Sequence, residues 1–120
     1  ELDKLDDAIT YFGNVVRVRP KNINGWTELL KCLYKAEMLE DALEYAGFAF
    51  EQTDGKPIFL FYKSAVLYAM GKSKEALLNL EAGMNRNPKL IKKFIEINPS
   101  ILQVQQVVDL IARYKKRKSL

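Results

Sequence analysis

The chain has 120 residues and a formal net charge of +4, with 48% hydrophobic and 28% charged residues. This composition is typical of one globular domain with a continuous core and is too small to suggest two. With Cys32 as the single cysteine, an internal disulfide is excluded, and the lack of histidine excludes Ser–His–Asp triads, Cys–His pairs and histidine zinc sites.

The first residues, "ELDKLDDAI", are acidic and unlike a signal peptide, and no apolar run is long enough to span a membrane. The sequence therefore predicts a soluble protein and favours the cytoplasm. Because the chain opens without Met, we expect it to be a fragment of a longer polypeptide. Cys32 is predicted to be a small buried apolar residue of a reduced protein.

A similar phrase occurs three times along the chain, and its copies are evenly spaced. They read "LDDAITYFGN" at 5–14, "LEDALEYAGF" at 39–48 and "SKEALLNLEAG" at 73–83, and we call the constant step between them the repeat interval. It aligns Ala8 with Ala42 and Ala76, and Gly13 with Gly47. Small residues at such positions let paired helices approach closely, so we predict close helix packing at Ala42, at Ala76 and at the two glycines.

Two further helices are predicted between these copies. From Ile23 to Tyr34 the apolar residues form a helical stripe, and Asn22 or Asn24 can cap that helix. The stretch "PIFLFYKSAVLYAMG" at 57–71 is apolar nearly all round, which predicts a helix buried on both sides. The helices that carry the repeated phrase thus alternate along the chain with these two helices, and short turns join them.

This arrangement resembles the tetratricopeptide repeat, a helix-turn-helix unit of about 34 residues. Trp26, Leu29 and Ala42 match the aromatic, the leucine and the alanine of the family pattern, and Gly71 matches its turn glycine. Glu37 departs from the pattern, since it occupies the turn where glycine is usual. The resemblance implies an all-α fold, a right-handed tetratricopeptide-type α-solenoid of antiparallel helix pairs.

We expect a single domain in four parts. They are the second half of a repeat at 1–22, a repeat at 23–56, a repeat at 57–88, and C-terminal helices with a basic tail at 89–120. The half repeat leaves the apolar side of the first helix without a partner. We predict that an upstream helix covers that side in the parent protein and that a second copy covers it here, by self-association.

The repeat pattern ends after Pro88. There "KLIKKFIEIN" predicts a short helix, and the capping-box spacing of Ser100 and Gln103 predicts a last helix opening at that point, so a helix pair caps the solenoid. The charge also changes, since residues 89–120 carry 8 basic and 2 acidic residues while 1–88 carry 11 and 13. The basic run is Lys115, Lys116, Arg117 and Lys118.

This basic run has two interpretations. It is either a contact for phosphates or anionic lipid, or a solvated helix end favoured by the helix dipole. Four basic residues without a longer basic face give weak support for nucleic acid, so the solvated helix end is favoured.

The resemblance also implies a binding site, because the first helices of tetratricopeptide arrays line a concave groove that binds peptides or helices. The matching residues here are Asn24, Thr27, Glu28, Lys31, Lys35, Phe61, Tyr62, Ala65, Tyr68 and Ala69. The first five are polar and the others mostly apolar, which suits an amphipathic partner segment. Alternatively, the chain's own segment 90–114 covers the aromatic residues.

The predicted function is protein–protein interaction, as a scaffold or adaptor that binds a protein or peptide without catalysis. The acidic pairs in "LDDAI" and "LEDAL" stand at the first turn of a helix, where negative charge is favoured anyway. No glycine-rich phosphate loop, CxxC motif or metal-ligand cluster occurs in the sequence, so no metal or cofactor is expected. The alternative is an accessory module that docks a larger protein on nucleic acid or an anionic surface through the basic tail.

Overall fold

The protein is all-α. The structure, a computed structural model, describes the backbone of residues 2–119 and the side chains of residues 4–116. Its helices are α1 (Leu2–Val18), α2 (Ile23–Lys35), α3 (Leu39–Gln52), α4 (Ile58–Ala69), α5 (Ser73–Arg86), α6 (Ile91–Ile97) and α7 (Gln105–Ser119). Short 3₁₀ turns, Pro88–Leu90 and Pro99–Gln103, precede α6 and α7. Within the described residues, no helix is long and apolar enough to cross a membrane.

The repeat interval of the sequence recurs in the helix boundaries. The helices α1, α3 and α5 end at Val18, Gln52 and Arg86, and α2 and α4 end at Lys35 and Ala69, so each set is spaced by that interval. Each of the helices α1 to α4 packs against the next. Equivalent sequence positions therefore occupy equivalent places in successive helices.

The turns that follow α2 and α4 have the same backbone geometry. Glu37 has a φ of 60° and Gly71, one repeat interval later, has a φ of 78°. After Glu37, the Met38 amide donates to the Leu33 carbonyl at 3.0 Å, the bond of a Schellman motif, and an equivalent bond follows Gly71. Glu37 thus adopts a left-handed conformation that glycine reaches at lower cost.

Glu37→Gly is therefore expected to raise the free energy of unfolding by about 0.5–1 kcal/mol, because it removes a side chain from a left-handed position. Urea denaturation followed by tryptophan fluorescence measures the change. The control is Ala36→Gly, since Ala36 has a φ of −77° and a glycine there should lower stability by about 0.5–1 kcal/mol. Equal effects of the two substitutions would contradict the assignment of strain to Glu37.

The helices α4 and α5 pack antiparallel and close together. The buried Ser64 hydroxyl donates to the Ala76 carbonyl at 2.7 Å. Further along the pair, a Cβ atom at Gly83 would lie 2.8 Å from the Phe61 ring. Ala42 and Ala76 are both fully buried, so the prediction that small residues serve close packing at these two alanines is confirmed.

The same prediction is wrong for Gly13 and Gly47. Among the described residues, a Cβ atom at either position would meet no atom of a neighbouring element within 4 Å. Close approach between α1 and α2 instead requires Gly25, where a Cβ atom would lie 2.9 Å from the Val15 side chain. The recurrence of the first two glycines in the sequence therefore does not mark a helix contact.

Two hydrophobic cores share α4. The first lies between α1, α2 and α3, includes Trp26 and receives Tyr62 from α4. The second receives Phe61 from α4 and packs it with side chains of α5, α6 and α7, including Phe94. The prediction that this helix is buried on both sides is thus confirmed.

The last helix begins later than its sequence predicted. Residues Pro99–Gln103 form a 3₁₀ turn, and α7 begins at Gln105. The Ser100 hydroxyl donates to the Asn98 side chain at 2.6 Å, so it closes the preceding turn instead of capping α7. At the other predicted cap, Asn22 accepts a hydrogen bond from the Gly25 amide at 3.0 Å and begins α2.

Candidate functional site

A groove of about 780 Å³ lies between α2, α4 and α6. It combines a polar face of α2, the start of α4 and a face of the C-terminal segment. The lining residues are Ile23, Asn24, Thr27, Glu28, Lys31, Tyr34, Lys35 and Glu37 from α2 and its turn, Ile58 and Tyr62 from α4, and Leu90, Lys93, Glu96 and Ile97 from the C-terminal segment.

The structure brings together six of the ten residues that the sequence placed in a groove. These six are Asn24, Thr27, Glu28, Lys31, Lys35 and Tyr62. The other four lie elsewhere: Phe61 and Ala65 are fully buried in the second core, Tyr68 is half-buried, and Ala69 is exposed outside the groove. The reason is that the C-terminal segment packs over the aromatic side of α4, which was the alternative arrangement considered for the sequence.

The contact that covers this aromatic side centres on Phe94 of α6. Its ring centroid lies 6.1 Å from that of Phe61 and 6.4 Å from that of Tyr68. All three rings belong to the second core. The predicted groove is therefore shortened, and α6 forms one of its walls.

Charged side chains of both signs line the groove. The Lys31 Nζ atom lies 3.5 Å from the Glu28 carboxylate on α2, and the Lys93 Nζ atom lies 3.9 Å from the Glu96 carboxylate on α6. Both pairs are solvent-exposed, and the two residues of each pair are one helical turn apart. Such pairs contribute less than about 1 kcal/mol to stability. These side chains can therefore exchange their present partners for those of a ligand at small cost.

Tyr62 occupies the apolar part of the groove, where only 4% of the residue is exposed. Burial raises the pKa of its hydroxyl well above the ordinary value for tyrosine, and Glu28 and Glu96 raise the pKa further. The hydroxyl is thus protonated at neutral pH and can donate a hydrogen bond to a ligand. Because Tyr62 also belongs to the first core, its truncation would weaken the fold as well as the groove.

At the sequence level the C-terminal segment was considered as a cover for α4, but none of its residues was assigned to the groove. Leu90, Lys93 and Ile97 are spaced by three and four residues, so they share one side of a helical segment. This signal is present in "KLIKKFIEIN", but periodicity alone does not show which neighbour that side meets.

Tyr68 carries a buried hydroxyl that lacks a hydrogen-bond partner. Among the described side chains, its Oη atom is the one buried polar atom in this situation. Burial raises the pKa of this hydroxyl, and Glu81 raises it further. An unsatisfied buried polar group costs about 1–3 kcal/mol, so the hydroxyl opposes the packing of its own ring.

Tyr68→Phe is accordingly expected to leave stability unchanged or to raise it by up to about 1 kcal/mol, since it removes an unsatisfied hydroxyl and keeps the ring. Thermal unfolding of the variant measures this. Tyr45→Phe, at a tyrosine on the surface, is the control and should change stability by less than about 0.5 kcal/mol. A clear loss of stability in Tyr68→Phe would show that the hydroxyl has a partner.

Two further predictions concern Cys32 and the basic run. Cys32 is half-buried, and burial together with Glu28 raises the pKa of its thiol while Lys35 opposes the shift, which disfavours the nucleophilic thiolate.

Lys115 and Lys116 of the predicted anion contact are exposed on α7. The side chains of Arg117 and Lys118 lie outside the described residues, and an anion-binding role for this run stays a prediction.

No protein-family model and no curated protein matches this chain, so its function is inferred from the groove and from the repeat interval.

Proposed function

We propose that the chain is a non-catalytic interaction module of the tetratricopeptide type, and that the groove between α2, α4 and α6 binds an amphipathic segment of a partner protein. The observation that carries this proposal is the composition of the groove. Apolar side chains such as Ile58 and Ile97 lie beside exposed charges such as Lys31 and Lys93. A segment with one apolar side and charged flanks would match both.

Three features support an α-solenoid of the tetratricopeptide type, for which the family resemblance implies a right hand. Helix ends recur at the repeat interval along the first five helices. The turns at Glu37 and Gly71 share the same left-handed residue and Schellman bond. Ala42 and Ala76, where the family pattern has alanine, are fully buried.

The size of the groove limits what it can hold. A volume of about 780 Å³ accommodates several large side chains but not a whole helix. The partner segment would therefore insert its anchoring side chains and leave its polar side to the exposed lysines and glutamates. Such anchors usually supply most of the binding energy, while exposed charges mainly affect the rate of association and its salt dependence.

A peptide-display selection on the full chain tests the proposal. We expect it to yield peptides with an aromatic or aliphatic anchor flanked by charges. Thr27→Trp should weaken their binding at least about tenfold by filling the groove, whereas Thr27→Ala should leave it nearly unchanged. Both variants should fold, because Thr27 faces the groove and its hydroxyl donates to the Asn24 carbonyl of its own helix.

The selected peptides also distinguish binding in the groove from the alternative function, docking through the basic tail. If they bind Thr27→Trp as well as the parent chain and their affinity falls steeply with salt, the basic tail carries binding and the groove proposal is overturned. In the groove, Lys31→Ala should weaken binding mainly at low salt.

A further inference from the structure

Three helices each contribute one polar side chain to the groove between α2, α4 and α6 around a single point. Glu28 comes from α2, Tyr62 from α4 and Glu96 from α6. The side chains of Glu28 and Glu96 are 45% and 69% exposed, whereas only 4% of Tyr62 is exposed. The tyrosine thus lies at the bottom of the groove, between two walls that each carry a carboxylate.

The Tyr62 hydroxyl makes no hydrogen bond to any described residue. Its oxygen is not enclosed by the protein as that of Tyr68 is, so it faces the open space of the groove. Buried side chains normally have their polar atoms paired, and a hydroxyl can both donate and accept hydrogen bonds. A tyrosine that is more than nine-tenths buried and keeps this oxygen unpaired therefore points to a group that enters the groove and bonds to it.

The charges that act on this hydroxyl are negative. Burial raises the pKa of the Tyr62 hydroxyl, and the carboxylates of Glu28 and Glu96 raise it further. Each carboxylate has one lysine partner on its own helix, at 3.5 Å for Lys31 and 3.9 Å for Lys93. Such exposed pairs are weak, so a cation that reached both carboxylates at once would replace the lysines at small cost.

The groove does not adjoin the first or the last helix of the chain. Among the described residues, none of α1 or α7 lines it. The other side of α2, which carries Leu29 and Leu33, packs in the first core together with Phe12 of α1. The helix α1 is therefore behind α2 as seen from the groove, and a segment of another protein can enter without displacing either terminal helix.

We propose that the partner segment carries an arginine whose guanidinium lies between Glu28 and Glu96 and donates a hydrogen bond to the Tyr62 hydroxyl. This inference rests on the proposed function, because it names the chemistry of the segment that the groove binds. Arginine fits better than lysine, since its planar guanidinium presents five N–H donors, enough for two carboxylates and a hydroxyl. The lysines released from the two carboxylates favour acidic residues on either side of that arginine.

The probes are n-butylguanidinium and n-butylurea, which are similar in shape but differ in charge. Each is titrated into the full chain and followed by NMR. We expect saturable shifts around Tyr62 with butylguanidinium and none with butylurea. Glu28→Gln combined with Glu96→Gln should weaken the binding of butylguanidinium at least about tenfold. The matched control is Glu37→Gln, at a third carboxylate of the same groove, and it should leave binding nearly unchanged.

Peptides from the display selection provide a second measurement. We expect them to carry an arginine next to the apolar anchor, and its replacement by the neutral citrulline should weaken binding at least about tenfold. Tyr62→Phe keeps the ring in the first core and should weaken the same peptides about two- to tenfold, with thermal unfolding unchanged.

The two measurements separate this inference from the proposed function. Dependence on both Glu28 and Glu96, seen with butylguanidinium or with the arginine peptides, supports the inference, and its absence in both overturns it. Peptides that Thr27→Trp blocks but that bind without arginine overturn this inference and leave the proposed function standing. Peptides that bind Thr27→Trp as well as the parent chain overturn both.

The other candidate occupant is the chain's own basic tail. It is tested by combining Lys115→Gln, Lys116→Gln, Arg117→Gln and Lys118→Gln in the full chain. If this variant binds butylguanidinium more tightly than the parent chain, the tail occupies the groove and the proposal of a partner segment is overturned. Unchanged binding supports the proposal.

Discussion

Phe94→Ala is expected to lower the free energy of unfolding by about 3–5 kcal/mol, the cost typical of removing a buried phenylalanine ring. Phe94 is fully buried and lies against both Phe61 and Tyr68. It is the side chain through which α6 covers the aromatic side of α4. Its removal leaves a cavity in the second core and weakens the attachment of the C-terminal helices.

Urea denaturation measures this loss, and tryptophan fluorescence shows how far it spreads, because Trp26 belongs to the first core. Phe48→Ala is the control, since Phe48 is 46% exposed and its truncation should cost less than about 0.5–1 kcal/mol. If Phe94→Ala cost as little as the control, α6 would not be packed on α4, and the aromatic residues would be open to a partner.

The second large effect concerns the alanines between paired helices. Ala42→Leu and Ala76→Leu should each lower stability by about 1–3 kcal/mol by overpacking a close helix contact. At Ala76 the added volume would also separate α4 from α5 and lengthen the bond from the Ser64 hydroxyl. Thermal or urea unfolding measures both variants.

Two controls accompany these alanine variants. Asp41→Asn changes an exposed side chain and should alter stability by less than about 0.5 kcal/mol. Ala8→Leu adds the same atoms at the equivalent position of α1, where the residue is half-buried, and should cost less than either buried substitution. Equal losses at all three alanines would mean that the side of α1 is as tightly packed as those of α3 and α5.

The helices α1 to α5 could be predicted because their signals are local. Apolar spacing, the Asn22 cap and the turn at Gly71 depend on residues close together in the chain. The family pattern placed a turn at Glu37, but the left-handed conformation of that residue was seen only in the structure. The start of α7 was misplaced because Ser100 bonds to Asn98, an equally local partner that the capping-box spacing does not exclude.

Half of the candidate site was predictable for a similar reason. The polar side of α2 follows from its own periodicity, whereas the assignment of Asn24, Lys31 and Lys35 to a groove came from the family resemblance. All three line the groove of the structure. The aromatic side of α4 was apolar enough to be covered either by a ligand or by the chain itself. That choice depends on the path of the chain after Pro88, which periodicity does not encode.

The position of α4 in both cores has a consequence for how the chain opens to solvent. The inward-facing residues of α4 divide between the first and the second core, whereas α1 and α7 each border one core, so we expect the buried amides of α4 to exchange their hydrogens more slowly than those of the terminal helices. The terminal helices can therefore open in separate local events. Opening of α4 would disrupt both cores at once, so we expect this central helix to couple the repeated units into one cooperative unit.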